Sequence, residues 1–113
     1  MTRATRNLRL KSELGRNSRG AGGLAATLAA LNERRVEALL IKEGFRAPGY
    51  ATPDATFLSA EPGSSPTGEQ LQERDDVVES AFESALEQSA EIVVIRKHPD
   101  IDAVGSIGAV LRY

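Results

Sequence analysis

Three short runs in this 113-residue chain are apolar at almost every position: Val36-Glu37-Ala38-Leu39-Leu40-Ile41, Ile92-Val93-Val94-Ile95 and Ile107-Gly108-Ala109-Val110-Leu111. A strand with one wet face alternates apolar and polar residues, so a run that does not alternate is a strand covered on both faces. Three such strands, expected over 36–41, 91–96 and about 107–113, demand helices to cover them, and helical patterns stand beside them. Leu24, Leu28 and Leu31 recur at helical spacing among Ala25, Ala26, Ala29 and Ala30. From Asp75 to Gln88, Val78, Phe82 and Leu86 form one apolar row with Val77, Ala81 and Ala85 beside it. Asp75 or Asp76 is placed to cap that helix, Glu79 follows Asp76 at capping-box spacing, and the acids suit the positive end of the helix dipole. Alternation of helix and strand in this order predicts an α/β sandwich with helices on both faces of the sheet.

The remainder does not follow this pattern. Residues 44–74 hold four of the five prolines together with Gly44, Gly49, Gly63 and Gly68, and only Thr56-Phe57-Leu58-Ser59-Ala60 reads as a short strand. Loops beyond about 15 residues are uncommon inside a compact domain, so this stretch is an insertion. Setting aside residues 1–20 and 44–74 leaves 21–43 and 75–113, 62 residues of regular sequence. A domain of about 60 residues is marginal by itself, so the insertion is expected to pack against it, or the domain to lean on a neighbour. Gly20 to Gly23 reads as a glycine-rich breaker.

The net charge of −2 hides an asymmetry. Residues 1–20 carry six cations (Arg3, Arg6, Arg9, Lys11, Arg16, Arg19) against Glu13, net +5; residues 21–113 carry eight cations and fifteen anions, net −7. There is no cysteine, which excludes disulfides and thiolate chemistry. No apolar run approaches the length of a membrane span, and the basic N-terminal stretch lacks the apolar core of a signal peptide, so the cytoplasm is the expected compartment.

Several groups bear on chemistry. Gly20-Ala21-Gly22-Gly23 precedes a helix as a phosphate cradle would, but it lacks the Lys-Ser/Thr of a P-loop and a preceding strand, so a hinge is expected. His98 is the only histidine; without cysteine or a second histidine it makes no zinc site. Ser106, His98 and Asp102 supply the residue types of a triad without a nucleophile elbow, and His98 reads as a turn residue. Glu79, Glu83 and Glu87 lie at i, i+4, i+8 on one helix face, either as a solvated face or as an acidic ridge for a basic partner. The basic arm is either the tail or linker of an upstream segment or a non-specific RNA contact; it has no aromatic residue on which bases would stack.

The sequence Gly105-Ser106-Ile107-Gly108-Ala109-Val110-Leu111-Arg112-Tyr113 resembles the end of the C-terminal domain (domain 3) of the archaeo-eukaryotic peptide chain release factor 1 / Pelota family, bacterial branch. The likeness extends over about residues 13–113, through the opening helix and first strand up to Ile41 and through the second half from Asp75. It implies a three-layer α/β/α sandwich similar to kink-turn-binding ribosomal proteins. It also implies that residues 44–74 are a degenerate zinc ribbon: Thr52 and Ala55 stand where cysteines would sit in the first knuckle, and Ser65 in a ligand position of the second, so the ribbon is expected to be metal-free. Gly23 to Leu28 lacks the Asn-Glu-x-x-Lys with which kink-turn binders hold RNA, and no Gly-Gly-Gln loop, the family's hydrolytic motif, occurs here. The resemblance therefore implies a non-catalytic module without cofactors. It would dock a translational GTPase or the ribosome, with residues 1–20 as a linker and residues 21–113 as the domain.

Overall fold

The structure, a computed structural model, describes residues 20–96 and 105–112. In chain order these form β1 (Gly20–Gly22), α1 (Leu24–Asn32), β2 (Val36–Lys42), β3 (Gly49–Ala51), β4 (Leu58–Ser59), β5 (Gln72–Arg74), α2 (Val77–Glu87), β6 (Glu91–Ile95) and β7 (Ile107–Leu111). The main sheet has the order β1-β7-β2-β6, with β7 antiparallel to both its neighbours and β2 parallel to β6. A parallel pair needs a crossover, and α2 supplies it between β2 and β6.

The three apolar runs are the three long strands of this sheet, and both faces are buried as their composition requires. Leu39, Ile41, Ile107 and Ala109 share one core with Leu28 and Leu31 of α1 and Val77, Val78, Ala81 and Ala85 of α2. Ala38, Leu40, Val93 and Val110 form a second cluster, each no more than 2% exposed. Period-2 alternation alone would put Val36 in this second cluster with Ala38 and Leu40. A bulge between Val36 and Ala38 shifts the register by one residue, so Val36 joins the core beside the helices. The expected α/β sandwich forms, but where helices on both faces were expected both described helices lie against one sheet face, and among the described residues no helix joins the cluster on the other.

Both helices end alike. The N–H of Arg34 bonds to the carbonyl of Leu31 (3.0 Å) and that of Arg35 to Ala30 (3.1 Å); Ser89 to Leu86 (3.0 Å) and Ala90 to Ala85 (2.9 Å) repeat the pattern. These are complete Schellman caps in which Arg34 (φ 56°) and Ser89 (φ 59°) occupy the left-handed position that glycine fills most easily. At its other end α2 is capped as expected, by Asp76, whose Oδ1 accepts the N–H of Val78 at 3.0 Å.

The glycine cluster departs from its reading as a breaker. Gly20–Gly22 is a strand, paired with Val110, Ala109 and Gly108 of β7, and Gly23 (φ 88°) turns the chain into α1. A strand of glycines has no side chains to alternate, so periodicity cannot reveal it; its partner defines it.

The insertion is ordered as an antiparallel three-stranded sheet, β4-β3-β5, and it packs against the domain. Ala51 and Leu58 belong to the main core, and the Asn32 side chain holds Leu58 twice: Nδ2 donates to its carbonyl (2.7 Å) and Oδ1 accepts its N–H (2.9 Å). Asn32 thus pairs with β4 as another strand would. Where β3 meets α2, a Cβ on Gly49 would stand 2.7 Å from Val77 Cγ1 and 2.9 Å from the Ser59 carbonyl oxygen, so the approach requires glycine.

The cap geometry yields a direct check. Ser89→Gly removes a strained left-handed serine and is expected to stabilise the fold by up to about 1 kcal/mol, read as a higher urea midpoint at unchanged slope. A lowered midpoint would refute the assignment of strain.

Candidate interaction surface

Helix α2 turns Val77, Val78, Ala81 and Ala85 into the core, which directs Glu79, Glu83 and Glu87 outward, where all three are exposed. The apolar row read from the sequence divides accordingly. Val78 is buried, Phe82 is half-buried against the core, and Leu86 is 65% exposed. On the neighbouring strand β6, Val94 is 49% exposed. Phe45, Val78, Phe82 and Val94 line an open groove of about 290 Å³ between the start of α2 and the carboxyl ends of the parallel strands β2 and β6. Asp76 and Glu79 lie on its helix side. The groove was not legible in the sequence, because Phe45 belongs to the segment taken as insertion and Val94 to a strand expected to be wholly buried.

Within the Gly105–Tyr113 signature, the described residues 105–112 form a structural closure. Its arginine, Arg112, donates from Nε to the Val36 carbonyl (2.9 Å) and from an Nη to the Gln88 carbonyl, while its N–H bonds to the Arg35 carbonyl. It thereby links the end of β7 to the start of β2 and the C-terminal cap of α2. Gln88, buried at 7% exposure, continues the link through Nε2 to the Leu31 carbonyl (2.9 Å) and Ser84 Oγ (3.2 Å). Both helix C-termini are negative dipole ends, where a cation and amide donors are favourable.

The insertion contains the same turn twice. Thr52 Oγ1 accepts the N–H of Thr56 (3.1 Å), and Ser65 Oγ accepts that of Glu69 (3.1 Å). Ala55 N–H bonds to the Thr52 carbonyl (2.8 Å), and Gly68 N–H to the Ser65 carbonyl (2.9 Å); Ala55 (φ 61°) and Gly68 (φ 91°) are both left-handed. Each hydroxyl also meets the side chain two residues on, Thr52 with Asp54 Oδ1 (2.9 Å) and Ser65 with Thr67 Oγ1 (2.9 Å). Thr52 is fully buried and Ser65 nearly so. Thr52 and Ser65, which the resemblance set at ligand positions, therefore hold their turns by accepting backbone N–H bonds, and Ala55 offers no ligand atom. Among the described residues no group of three or more His, Cys, Asp or Glu is placed to hold a metal ion.

Asp54 anchors the first turn. Hydrogen bonds from the Thr56 and Thr52 hydroxyls and the Thr56 N–H hold its carboxyl below the usual carboxylate pKa of 3.8. Hydrogen bonds to the charged form favour ionisation.

The described members of the other sequence candidates, the glycine cluster and Ser106, serve the sheet. Gly23 N–H donates to the Ile107 carbonyl (2.9 Å) and Gly20–Gly22 pair with β7, so the glycine cluster's backbone serves the sheet rather than a phosphate. Ser106 is the positive-φ residue (71°) at the entry to β7, and its carbonyl accepts the N–H of Lys42. His98, Asp102 and the basic arm (Arg3, Arg6, Arg9, Lys11, Arg16, Arg19) lie outside the described residues. Among the described residues no helix is long and apolar enough to cross a membrane.

No family model matches the chain, and no curated protein matches its sequence. Solved structures do match its fold. The C-terminal domain of a peptide chain release factor from Methanosarcina mazei superposes with a TM-score of 0.69 at 23% identity, over 100% of this chain and 82% of that one. Pelota from Archaeoglobus fulgidus gives 0.61 at 19% identity, and an archaeal translation termination factor 0.61 at 16%, each over 98% of this chain. This chain spans only 29% and 25% of those two proteins. The fold is thus that of the release-factor and Pelota C-terminal domain, as the resemblance implied.

Two measurements test the local geometry. Arg112→Ala should cost about 1.5–3 kcal/mol of unfolding free energy, the range for hydrogen bonds from a charged group; a loss below 0.5 kcal/mol, estimated as ordinary for surface substitutions, would show that the closure contributes little. Because the folded-state pKa of Asp54 is depressed, its contribution is present above the unfolded value of 3.8 and is lost as pH falls through the lower folded value. Asp54→Asn should therefore flatten the acid limb of stability below about pH 4, followed by urea unfolding. An unchanged limb would remove Asp54 from the account.

Proposed function

We propose that this chain is a non-catalytic interaction domain of a translation factor of the peptide chain release or ribosome-rescue kind, and that it docks a translational GTPase or the ribosome. The observation that carries the reading is the coincidence of two independent likenesses. The fold matches a release-factor C-terminal domain along the whole chain, and the signature, within its described residues 105–112, forms the buried strand β7 and its arginine closure. Fold alone hosts many functions, so the site must carry the rest. The described surface offers an acidic helix face beside an apolar groove, an arrangement suited to binding a protein segment. Residues 1–19 serve as the linker to other domains, Gly20 belonging to β1, residues 44–74 are a metal-free ribbon, and Glu79, Glu83 and Glu87 face the partner. On this reading the chain works in the cytoplasm and needs no cofactor.

The test is retention of the tagged full chain on purified ribosomes, and separately on a purified translational GTPase, with and without nuclease. Retention of the GTPase is expected to persist without RNA, and Glu79→Ala/Glu83→Ala/Glu87→Ala is expected to weaken it about tenfold with an unchanged circular dichroism spectrum. Failure of both to be retained rejects the docking role. Retention that nuclease abolishes, that falls steeply with salt, and that disappears on deleting residues 1–19 would instead assign binding to the basic arm on RNA.

A further inference from the structure

The partner's chemistry can be read from the groove beside α2, on the premise that this face is where docking occurs. Two large apolar side chains stand exposed on neighbouring elements, Leu86 on α2 (65%) and Val94 on β6 (49%), and Phe82 lies between the core and this surface. Phe45, Phe82 and Val94 continue the apolar surface into an opening of about 290 Å³. That is at the low end of the ~300–1,000 Å³ of pockets that enclose a small molecule. Its size suits one or two side chains of a longer segment.

Charge selects the segment. From Asp75 to Ile95 the sequence has six acidic residues and no Lys, Arg or His. Glu79, Glu83 and Glu87 flank the Phe82–Leu86 ridge along its length, all exposed. An acidic partner would meet like charge over the whole helix; a basic one meets opposite charge on both approach and contact. Lys42, Glu43 and Arg46 line the opposite, turn side of the groove, so the acidic helix row faces a side of mixed charge. We infer that the groove between the start of α2 and the ends of β2 and β6, together with the exposed helix face one turn beyond Phe82, takes a basic amphipathic helical segment, its aliphatic stripe lying on Phe82, Leu86 and Val94 and its Lys or Arg residues facing Glu79, Glu83 and Glu87. This is the helix-in-groove mode of recognition, with apolar anchors supplying affinity and the charged row supplying register.

The probe is a fluorescein-labelled amphipathic peptide of Leu and Lys, with a Leu and Glu peptide of the same pattern as control, titrated with the full chain and read by anisotropy. Saturable binding of the Lys peptide is expected, weakened by added salt, with at least tenfold weaker binding of the Glu peptide. Two variants confined to exposed positions, Glu79→Gln/Glu83→Gln/Glu87→Gln and Leu86→Ser/Val94→Thr, should each weaken the Lys peptide about tenfold while retaining the wild-type unfolding midpoint. Equal binding of the two peptides, or wild-type affinity in either variant, overturns the assignment. If the Lys peptide does not bind while ribosomes or the GTPase are retained, the groove assignment falls and the docking role stands. Variant-sensitive peptide binding without such retention supports the groove and removes the translational reading.

Discussion

Strand β7 is the constraint on which the rest of the fold depends. It is hydrogen-bonded along both edges, to β1 and β2, and residues Ile107 to Val110 are buried. A strand in that position has no solvent-facing side on which to tolerate a polar residue, and it brings together segments about ninety positions apart in the chain. Its pairing turns four glycine-rich residues into a strand and a helix entry. Its final arginine then spans to β2 and to the cap of α2. The loop-closure entropy of such long-range pairing must be offset by burial, and the apolar composition of β2 and β7 is what offsets it.

The core itself is modest, built from Leu, Val, Ile and Ala with few aromatics, and its elements are joined by side chains that bond to distant backbone. Asn32 pairs with Leu58, Gln88 reaches Leu31, and Arg112 reaches Val36 and Gln88. Each bonds a main-chain group at the end of a short helix or strand. The repeated hydroxyl turns do the same work inside the insertion, holding backbone N–H groups around Thr52 and Ser65. This explains how residues 44–74, so rich in proline and glycine, form an ordered sheet and contribute Ala51 and Leu58 to the core.

Much of the framework was legible because burial writes itself as periodicity. The strands around Val36, Ile92 and Ile107, the α2 helix with its Asp76 cap, and the outward row of Glu79, Glu83 and Glu87 all follow from spacing and composition. The candidate surface was only half legible. The acids were visible as a row, but the exposed Leu86 was counted with the buried Val78 because both fall on one helical stripe. Whether the next residue on a stripe is covered depends on where the neighbouring element ends, and one helix's sequence carries no information about that.

The sequence by itself determined which segments must be buried and which must turn, because apolar runs, caps and glycine–proline punctuation act through local geometry and hydration. Only the tertiary structure decided the strand order, the bulge that returns Val36 to the helix side, the conversion of Gly20–Gly22 into a strand and the opening of the groove beside Phe82 and Val94. Those features belong to pairs of segments rather than to single ones: a hydrogen-bond register and a surface between two elements exist only once both are in place.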